Sequence, residues 1–107
     1  MSRSGRRRTC ARVDAIFPND MRLMRIPRGT RRGQAIGVWL AALCHSRRFE
    51  LEGFCPTEEL QAFPSGDVVQ DLVDVGLFAR AEQDGLAGFV VLDYAECNPT
   101  KAQGGAT

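Results

Sequence analysis

The 107-residue sequence has few of the residues and motifs from which catalytic and metal sites are built. Its one histidine, His45, has no second histidine near it, and the chain contains no P-loop and no recognisable acid–base pair of carboxylates. The four cysteines lie 34, 11 and 42 residues apart without a C-x-x-C pair, which is a poor pattern for zinc. We therefore predict that the protein is not an enzyme and has no catalytic residue, no metal and no cofactor.

Long apolar runs are also absent. The longest is AIGVWLAALC at residues 35–44, which is too short to span a bilayer. The N-terminal sequence MSRSGRRRTCARVDAIF has paired arginines but lacks the apolar stretch that follows them in secretory and twin-arginine signals. We expect a cytoplasmic protein of one domain, with neither a membrane nor a small-molecule substrate among its partners.

Acidic residues are scarce in the first third of the chain. Residues 1–32 hold ten arginines and two aspartates, a charge of 10 − 2 = +8, whereas residues 33–107 hold four basic and eleven acidic residues, 4 − 11 = −7. A chain divided in this way can present a basic surface to a polyanion while its total charge stays near neutral. The alternative is that these arginines are solvated, or pair with acidic residues of the same molecule.

The pattern along the chain predicts one α+β domain at residues 10–98. Residues 1–9, MSRSGRRRT, lack apolar side chains and are predicted to form a flexible basic arm. Residues 99–107 are predicted to be a disordered tail. The domain begins with a short predicted strand, CARVDAIF, at residues 10–17, because its apolar and polar residues alternate.

Two helices are predicted next. The first covers residues 18–26, with Asn19 or Asp20 as its cap; its inward residues are predicted to be Met21, Leu23 and Met24, and its outward residues Arg22 and Arg25. The second covers residues 30–48, because apolar residues recur at helical spacing on one face. Thr30 is its predicted cap.

The remaining predicted elements are a strand or bridge at residues 49–56, helices at 57–63 and 66–76, and a β-hairpin at 77–94. The hairpin turns at Asp-Gly, a dipeptide that suits a two-residue turn. Thr57 and Ser65 are the predicted caps of the two helices, and Gly76 ends the second. The predicted core is Val13, Ile36, Trp39, Leu40, Leu43, Leu60, Val69, Leu72, Leu77 and Phe89.

These elements together predict a winged helix-turn-helix of about four helices, with a short N-terminal strand and a C-terminal β-hairpin wing. Over residues 12–100 the sequence resembles the N-terminal winged-helix domains of replisome-organiser and replication-initiation-like proteins of actinobacterial phages. The segments that carry the resemblance are VDAIFPNDMRLMRIP, AIGVWLAALC, EGFCP, LVDVGLF and DYAECNPT. The resemblance implies a DNA-binding phage protein with a role in replication or regulation.

The helix at residues 66–76 is the one that would enter the major groove in this fold. Its outward face is acidic, with Asp67, Gln70, Asp71 and Asp74 at steps of three and four residues. DNA carries one negative charge per ~1.7 Å of its axis, so three carboxylates in the groove would be repelled. We therefore expect DNA to bind the arginine-rich half instead, through phosphate contacts of weak sequence specificity.

Arg31 and Arg32 are notable because they stand at the N-terminal end of a helix, where positive charge is unfavourable. Their position favours a role in ligand binding. The candidate nucleic-acid-binding residues are Arg3, Arg6, Arg7, Arg8, Arg22, Arg25, Arg28, Arg31 and Arg32.

A second hypothesis is a protein-interaction module. In it the acidic face, Asp67, Gln70, Asp71 and Asp74, docks on a basic patch of a host protein, or on the arginine-rich half of a second copy in a homodimer.

Overall fold

Residues 9–61 and 67–100 are described by the computed structural model of the chain. They form an α+β domain in which five α-helices and one turn of 3-10 helix pack with a three-stranded antiparallel sheet. In chain order the elements are the 3-10 turn Phe17–Asn19, α1 Met21–Met24, α2 Thr30–Phe49, β1 Phe54–Pro56, α3 Thr57–Leu60, α4 Val68–Asp74, β2 Phe78–Gln83, β3 Leu86–Val91 and α5 Tyr94–Cys97.

The predicted strand at residues 10–17 is wrong, since the described part of this segment contains no strand. The N–H of Arg12 donates to Asn98 Oδ1 (2.7 Å), and Asn98 Nδ2 donates to the Arg12 carbonyl (2.9 Å). One amide side chain thus makes the bonds that a neighbouring strand would make. Val13 is exposed and does not belong to the core. The inward residue is Phe17, whose ring stacks on Trp39 with 3.9 Å between centroids.

Helix α1 is shorter than the helix predicted at residues 18–26. The predicted cap Asp20 is confirmed, because its carboxylate accepts the N–H of Arg22 at 2.8 Å. A helix of a single turn has one position that faces the core, and Leu23 lies there, completely buried. The inward prediction for Met21 and Met24 is therefore wrong, as both side chains are exposed.

Helix α2 confirms the strongest helix prediction, although its inward face is turned slightly from the expected one. Trp39 and Leu43 are buried as predicted, but small residues, Ala35 and Ala42, share that face with them. Leu40 is consequently 43% exposed, and its assignment to the core is wrong. The N-terminal cap is Gly29, not Thr30 as predicted, and no side chain caps this end.

The sheet has the strand order β1-β3-β2, with both pairs antiparallel. The predicted hairpin is confirmed. Its turn residues Asp84 and Gly85 both have positive φ, 53° and 82°, as a two-residue turn of this kind requires. Gly88 lies opposite Pro56, where β1 and β3 come so close that a Cβ would lie 2.7 Å from the Phe54 ring.

Helices α3 and α4 are shorter than predicted. Pro56, rather than Thr57, occupies the N-cap position of α3, where no side chain makes a capping hydrogen bond. The cap predicted for the following helix, Ser65, lies outside the described residues. Val68 and Leu72 are the buried residues of α4. The chain leaves α4 through Gly76 at φ 89°, as predicted. Helix α5 was not predicted.

Most of the predicted core is confirmed. Ile36 and Val69 are half-buried and pack against it, and the fully buried predicted residues are Trp39, Leu43, Leu60, Leu72, Leu77 and Phe89. In residues 9–61 and 67–100, no helix combines the length and the apolar character that crossing a bilayer requires. Residues 1–8 and 101–107, most of the predicted arm and tail, lie outside the described residues.

Candidate nucleic-acid interface

Arg22 lies in an ion-pair cluster inside the domain. Its guanidinium donates to Asp20 Oδ2 at 2.8 Å and also to Asp93, and its side chain is 34% exposed. The hydrogen bonds to Asp20 and then to Asp93 raise the pKa of Arg22 above its ordinary value. Arg22 therefore joins α1 to the segment before α5, and two carboxylates offset the charge that it would offer to a phosphate.

Arg31 connects the start of α2 to the acidic face of α4. Its Nε and Nη2 donate to the two carboxylate oxygens of Asp71 at 2.5 and 2.9 Å, the paired geometry that a guanidinium makes with a carboxylate. This contact raises the pKa of Arg31 and lowers that of Asp71. The ion pair offsets the unfavourable position of Arg31 at a helix N-terminus.

Arg32 fixes the connection between α1 and α2. Its guanidinium donates to the carbonyl of Met24 at 2.9 Å and to that of Ile26 at 2.7 and 3.0 Å. Met24 is the last residue of α1 and Ile26 follows it, so neither carbonyl has a hydrogen-bond partner within that single turn. The side chain thus holds the loop in shape, and no carboxylate in the described part of the chain forms an ion pair with its positive charge.

Arg25 and Arg28 lie on this same connection, and we call them the loop arginines. Both are exposed, and neither side chain forms an ion pair or hydrogen bond with the part of the chain that the structure describes. They are three residues apart on a loop that Arg32 holds, so they present two uncompensated charges at one end of α2. Arg3, Arg6, Arg7 and Arg8 lie outside the described residues.

The acidic face of α4 is largely engaged by neighbouring side chains. Gln70 donates to Asp74 at 2.7 Å and accepts from Arg80 of β2, while Asp71 is held by Arg31. The three aspartates of this face, at 67, 71 and 74, together with Arg31 and Arg80 give a local charge of −3 + 2 = −1. This part of the molecule is less repulsive to a phosphate than the sequence of α4 alone indicates.

Sequence reasoning missed Arg80 and Asp93, which join the ion pairs and hydrogen bonds of Arg22, Arg31 and the acidic face of α4, here called the charged network. Arg80 reaches Gln70 across ten residues, and Asp93 reaches Arg22 across 71 residues. Neither spacing belongs to a local motif, because these contacts depend on how the hairpin and α5 pack against the helices.

No group of three His, Cys, Asp or Glu side chains within residues 9–61 and 67–100 is placed to hold a metal ion. Comparison of the chain with protein-family models, with curated proteins and with solved structures gives no match.

Proposed function

We propose that this chain is a small DNA-binding protein of the winged-helix type, which holds the DNA backbone through the connection between α1 and α2. The order of α2, β1, α3, α4 and the hairpin β2–β3 supports this reading, as does the strand order β1-β3-β2, because a winged helix arranges its elements in this way. A phage origin and a role in replication or regulation remain part of the proposal through the resemblance over residues 12–100.

The observation that carries the proposal is the pair of loop arginines. Arg25 and Arg28 are exposed on a loop whose shape Arg32 holds, and no carboxylate of the described chain pairs with them. Arginine forms paired hydrogen bonds with phosphate oxygens, and a fixed loop reduces the entropy lost on binding. The arginines of segment 3–8 would add further phosphate contacts on the N-terminal side.

The proposed contacts are with phosphates rather than with base edges, so affinity is expected to depend strongly on salt and weakly on sequence. The helix α4 presents no arginine from its outer face to read guanine, and two of the three aspartates of this face, Asp71 and Asp74, are held by Arg31 and Gln70. Arg22 has a structural role in this proposal, and Arg31 contributes only when it leaves Asp71.

Fluorescence anisotropy with a labelled DNA duplex tests this proposal. The variant Arg25→Ala/Arg28→Ala should bind more weakly and should lower the slope of log K against log salt by about 1.8, since each phosphate contact contributes about 0.9. The matched control is Arg12→Ala/Arg48→Ala, which removes the same charge from two exposed arginines outside the proposed site. Equal losses in the two variants would contradict a site on the loop.

The second candidate function is a protein-docking surface on α4. The exposed side chain of Asp67 forms no ion pair or hydrogen bond with the described residues, and among them Gln70 alone binds the carboxylate of Asp74. A basic partner or a second copy would find these two charges available. If the variant Asp67→Asn/Asp74→Asn loses an oligomer that the wild type forms in size-exclusion chromatography, this candidate is supported over DNA binding.

A further inference from the structure

Two of the four cysteines lie on one surface groove. Cys10 and Cys97 both line an open groove between the beginning of the described chain, the C-terminal part of α2 and helix α5. Cys10 is exposed and Cys97 is half-buried, so solvent reaches both thiols. They are 97 − 10 = 87 residues apart in the sequence, and the fold places them on the same groove.

The neighbours of both cysteines are held together by hydrogen bonds. Asn98, which follows Cys97, is buried, and its side-chain amide binds both the N–H and the carbonyl of Arg12. The carbonyl of Cys10 accepts a hydrogen bond from Arg47 Nε at 3.1 Å. The segment that carries Cys10 is therefore held beside the segment that carries Cys97.

Neither of the other two cysteines is placed to compete for this pairing. Cys44 is exposed on α2 but does not line the groove, and Cys55 of β1 is completely buried. Burial, with the charge of Glu59, also raises the pKa of the Cys55 thiol to about 12. A thiol that stays protonated and covered does not exchange with a disulfide in solution.

The charged groups of the groove favour the approach of an anionic thiol reagent. Arg12 and Arg47 line it together with one carboxylate, that of Glu96, which gives a charge of 2 − 1 = +1. Oxidised glutathione is a small-molecule disulfide with a net negative charge at neutral pH, so the positive charge of the groove favours its encounter with the two thiols.

We propose that Cys10 and Cys97 form a redox-responsive disulfide that ties the N-terminal segment to α5. The thiolate of Cys10 attacks one sulfur of oxidised glutathione, which breaks the glutathione S–S bond and releases one glutathione thiolate. The thiolate of Cys97 then attacks the Cys10 sulfur of this mixed disulfide and releases the second glutathione thiolate. Two electrons pass from the cysteines to oxidised glutathione, and the two thiol protons end on the two molecules of reduced glutathione.

The bond acts where residues 10–12 already contact α5. A disulfide requires its two Cα atoms to lie within about 7 Å of each other. Cys10 lies near the start of the described range 9–61, where a change in its own dihedral angles moves the thiol without displacing the core. The loop arginines do not line this groove, so the disulfide does not depend on the proposed DNA contacts.

The pairing can be mapped because trypsin places each cysteine in a different peptide. Cys10 falls in residues 9–12, Cys44 in 33–47, Cys55 in 49–80 and Cys97 in 81–101. The reduced full chain is equilibrated with oxidised and reduced glutathione, the remaining thiols are alkylated, and the digest is analysed by mass spectrometry. We expect peptide 9–12 joined to peptide 81–101 in at least about tenfold excess over any other pair, because the fold gives this pair a high effective concentration.

Two results of this mapping would overturn the proposal. One is an excess of any other cysteine pair. The other is glutathione attached to both Cys10 and Cys97 without the joined peptides, since it would show that the two thiols react but do not meet. The monomer mass on a non-reducing gel checks that the bond lies within one chain, and a bond that joins two chains would contradict the proposal as well.

The same mapping in urea separates the effect of the fold from that of the sequence. In an unfolded chain the entropy of loop closure favours cysteines that are near in sequence, and Cys44 and Cys55 are 55 − 44 = 11 residues apart. Peptide 33–47 joined to peptide 49–80 should therefore predominate in urea. If the pair Cys10–Cys97 forms as readily in urea as in the folded protein, the proposal is wrong.

Three serine variants test the bond through thermal unfolding. Oxidation should raise the Tm of the wild type by on the order of 10 °C, because the bond closes a long loop and so lowers the entropy of the unfolded chain. The matched control Cys44→Ser should show the same rise, whereas Cys10→Ser and Cys97→Ser should show none. No rise in the wild type, or an equal rise in Cys10→Ser, would overturn the proposal.

Discussion

The ion pair between Arg31 and Asp71 leads to a specific prediction for DNA binding. In the folded protein Arg31 Nε and Nη2 donate to the two carboxylate oxygens of Asp71 at 2.5 and 2.9 Å. A phosphate would use these same two donors. The substitution Asp71→Asn removes the negative charge, and the remaining amide can accept only one of these hydrogen bonds. Arg31 is then available to a phosphate, at the same end of α2 as the loop arginines.

The expected size of the effect follows from counterion release. One added phosphate contact should raise the slope of log K against log salt by about 0.9, which corresponds to 10 to the power 0.9, or about eightfold in affinity, at about 0.1 M salt. Protein stability should change little, because the Arg31 side chain is exposed and water and salt screen its interaction with the half-buried Asp71. The assay is fluorescence anisotropy with one duplex over a series of salt concentrations.

The matched control is Asp74→Asn, on the same face of α4. It removes an equal charge, but within residues 9–61 and 67–100 the Asp74 carboxylate is bound by Gln70 alone, so no arginine is released. It should therefore give a smaller gain in affinity and leave the slope unchanged. If Asp71→Asn and Asp74→Asn have the same slope, or if Asp71→Asn binds DNA more weakly than the wild type, the reasoning is refuted.

Three further predictions concern the fold and its titratable groups. Gly88→Ala should lower the free energy of unfolding, measured by thermal unfolding, by at least about 1–3 kcal/mol, because its Cβ would overlap the Cys55 carbonyl and the Phe54 ring. The control Gly37→Ala meets no neighbour and should stabilise α2 by up to about 1 kcal/mol. Equal effects of the two substitutions would contradict the β1–β3 register. The pKa of Asp20 lies below its ordinary value of 3.8, chiefly through the hydrogen bond from Arg22. The ionised carboxylate therefore stabilises the folded state fully above about pH 5, and this contribution is lost as the pH falls through the lowered pKa. The stability of Asp20→Asn should fall less steeply with acid than that of the wild type. Burial, with the charge of Glu59, raises the pKa of the Cys55 thiol to about 12. Iodoacetamide at about pH 8 should therefore modify the exposed Cys10 and Cys44 and leave Cys55 unmodified until the protein unfolds. Mass spectrometry of the digested protein measures the modification of each cysteine.

The features that could be predicted from the sequence are those set by neighbouring residues. The helix predicted at 30–48, a cap at Asn19 or Asp20 and the turn at Asp84 and Gly85 each depend on a pattern within a few positions. The structure has the helix at Thr30–Phe49, the cap at Asp20 and the predicted turn. Of the four α2 residues assigned to the core, Trp39 and Leu43 are buried, Ile36 is half-buried and Leu40 is exposed. Leu40 was misplaced because the small side chains of Ala35 and Ala42 allow close packing on a face that large residues alone did not indicate.

The charged network could not be predicted, because its members are far apart in the chain. Arg31 and Asp71 are 40 residues apart, and Arg22 and Asp93 are 71 apart. The segment at residues 10–17 was predicted to be a strand from its alternation alone, without knowledge that Asn98 would bind the backbone of Arg12. Counting charges along the sequence therefore overestimated the charge that Arg22, Arg31 and the acidic face of α4 leave uncompensated.

The most direct test of the central claim is to map the DNA contacts by NMR. A duplex added to the ¹⁵N-labelled full chain should cause its largest amide shift changes within the described residues at positions 25–32, around Arg25 and Arg28, and these changes should diminish as salt is added. Changes at residues 67–74 of α4 should be small by comparison. Largest changes on α4 and at the hairpin turn Asp84–Gly85 would show insertion of that helix into the groove, and would contradict binding through the connection between α1 and α2.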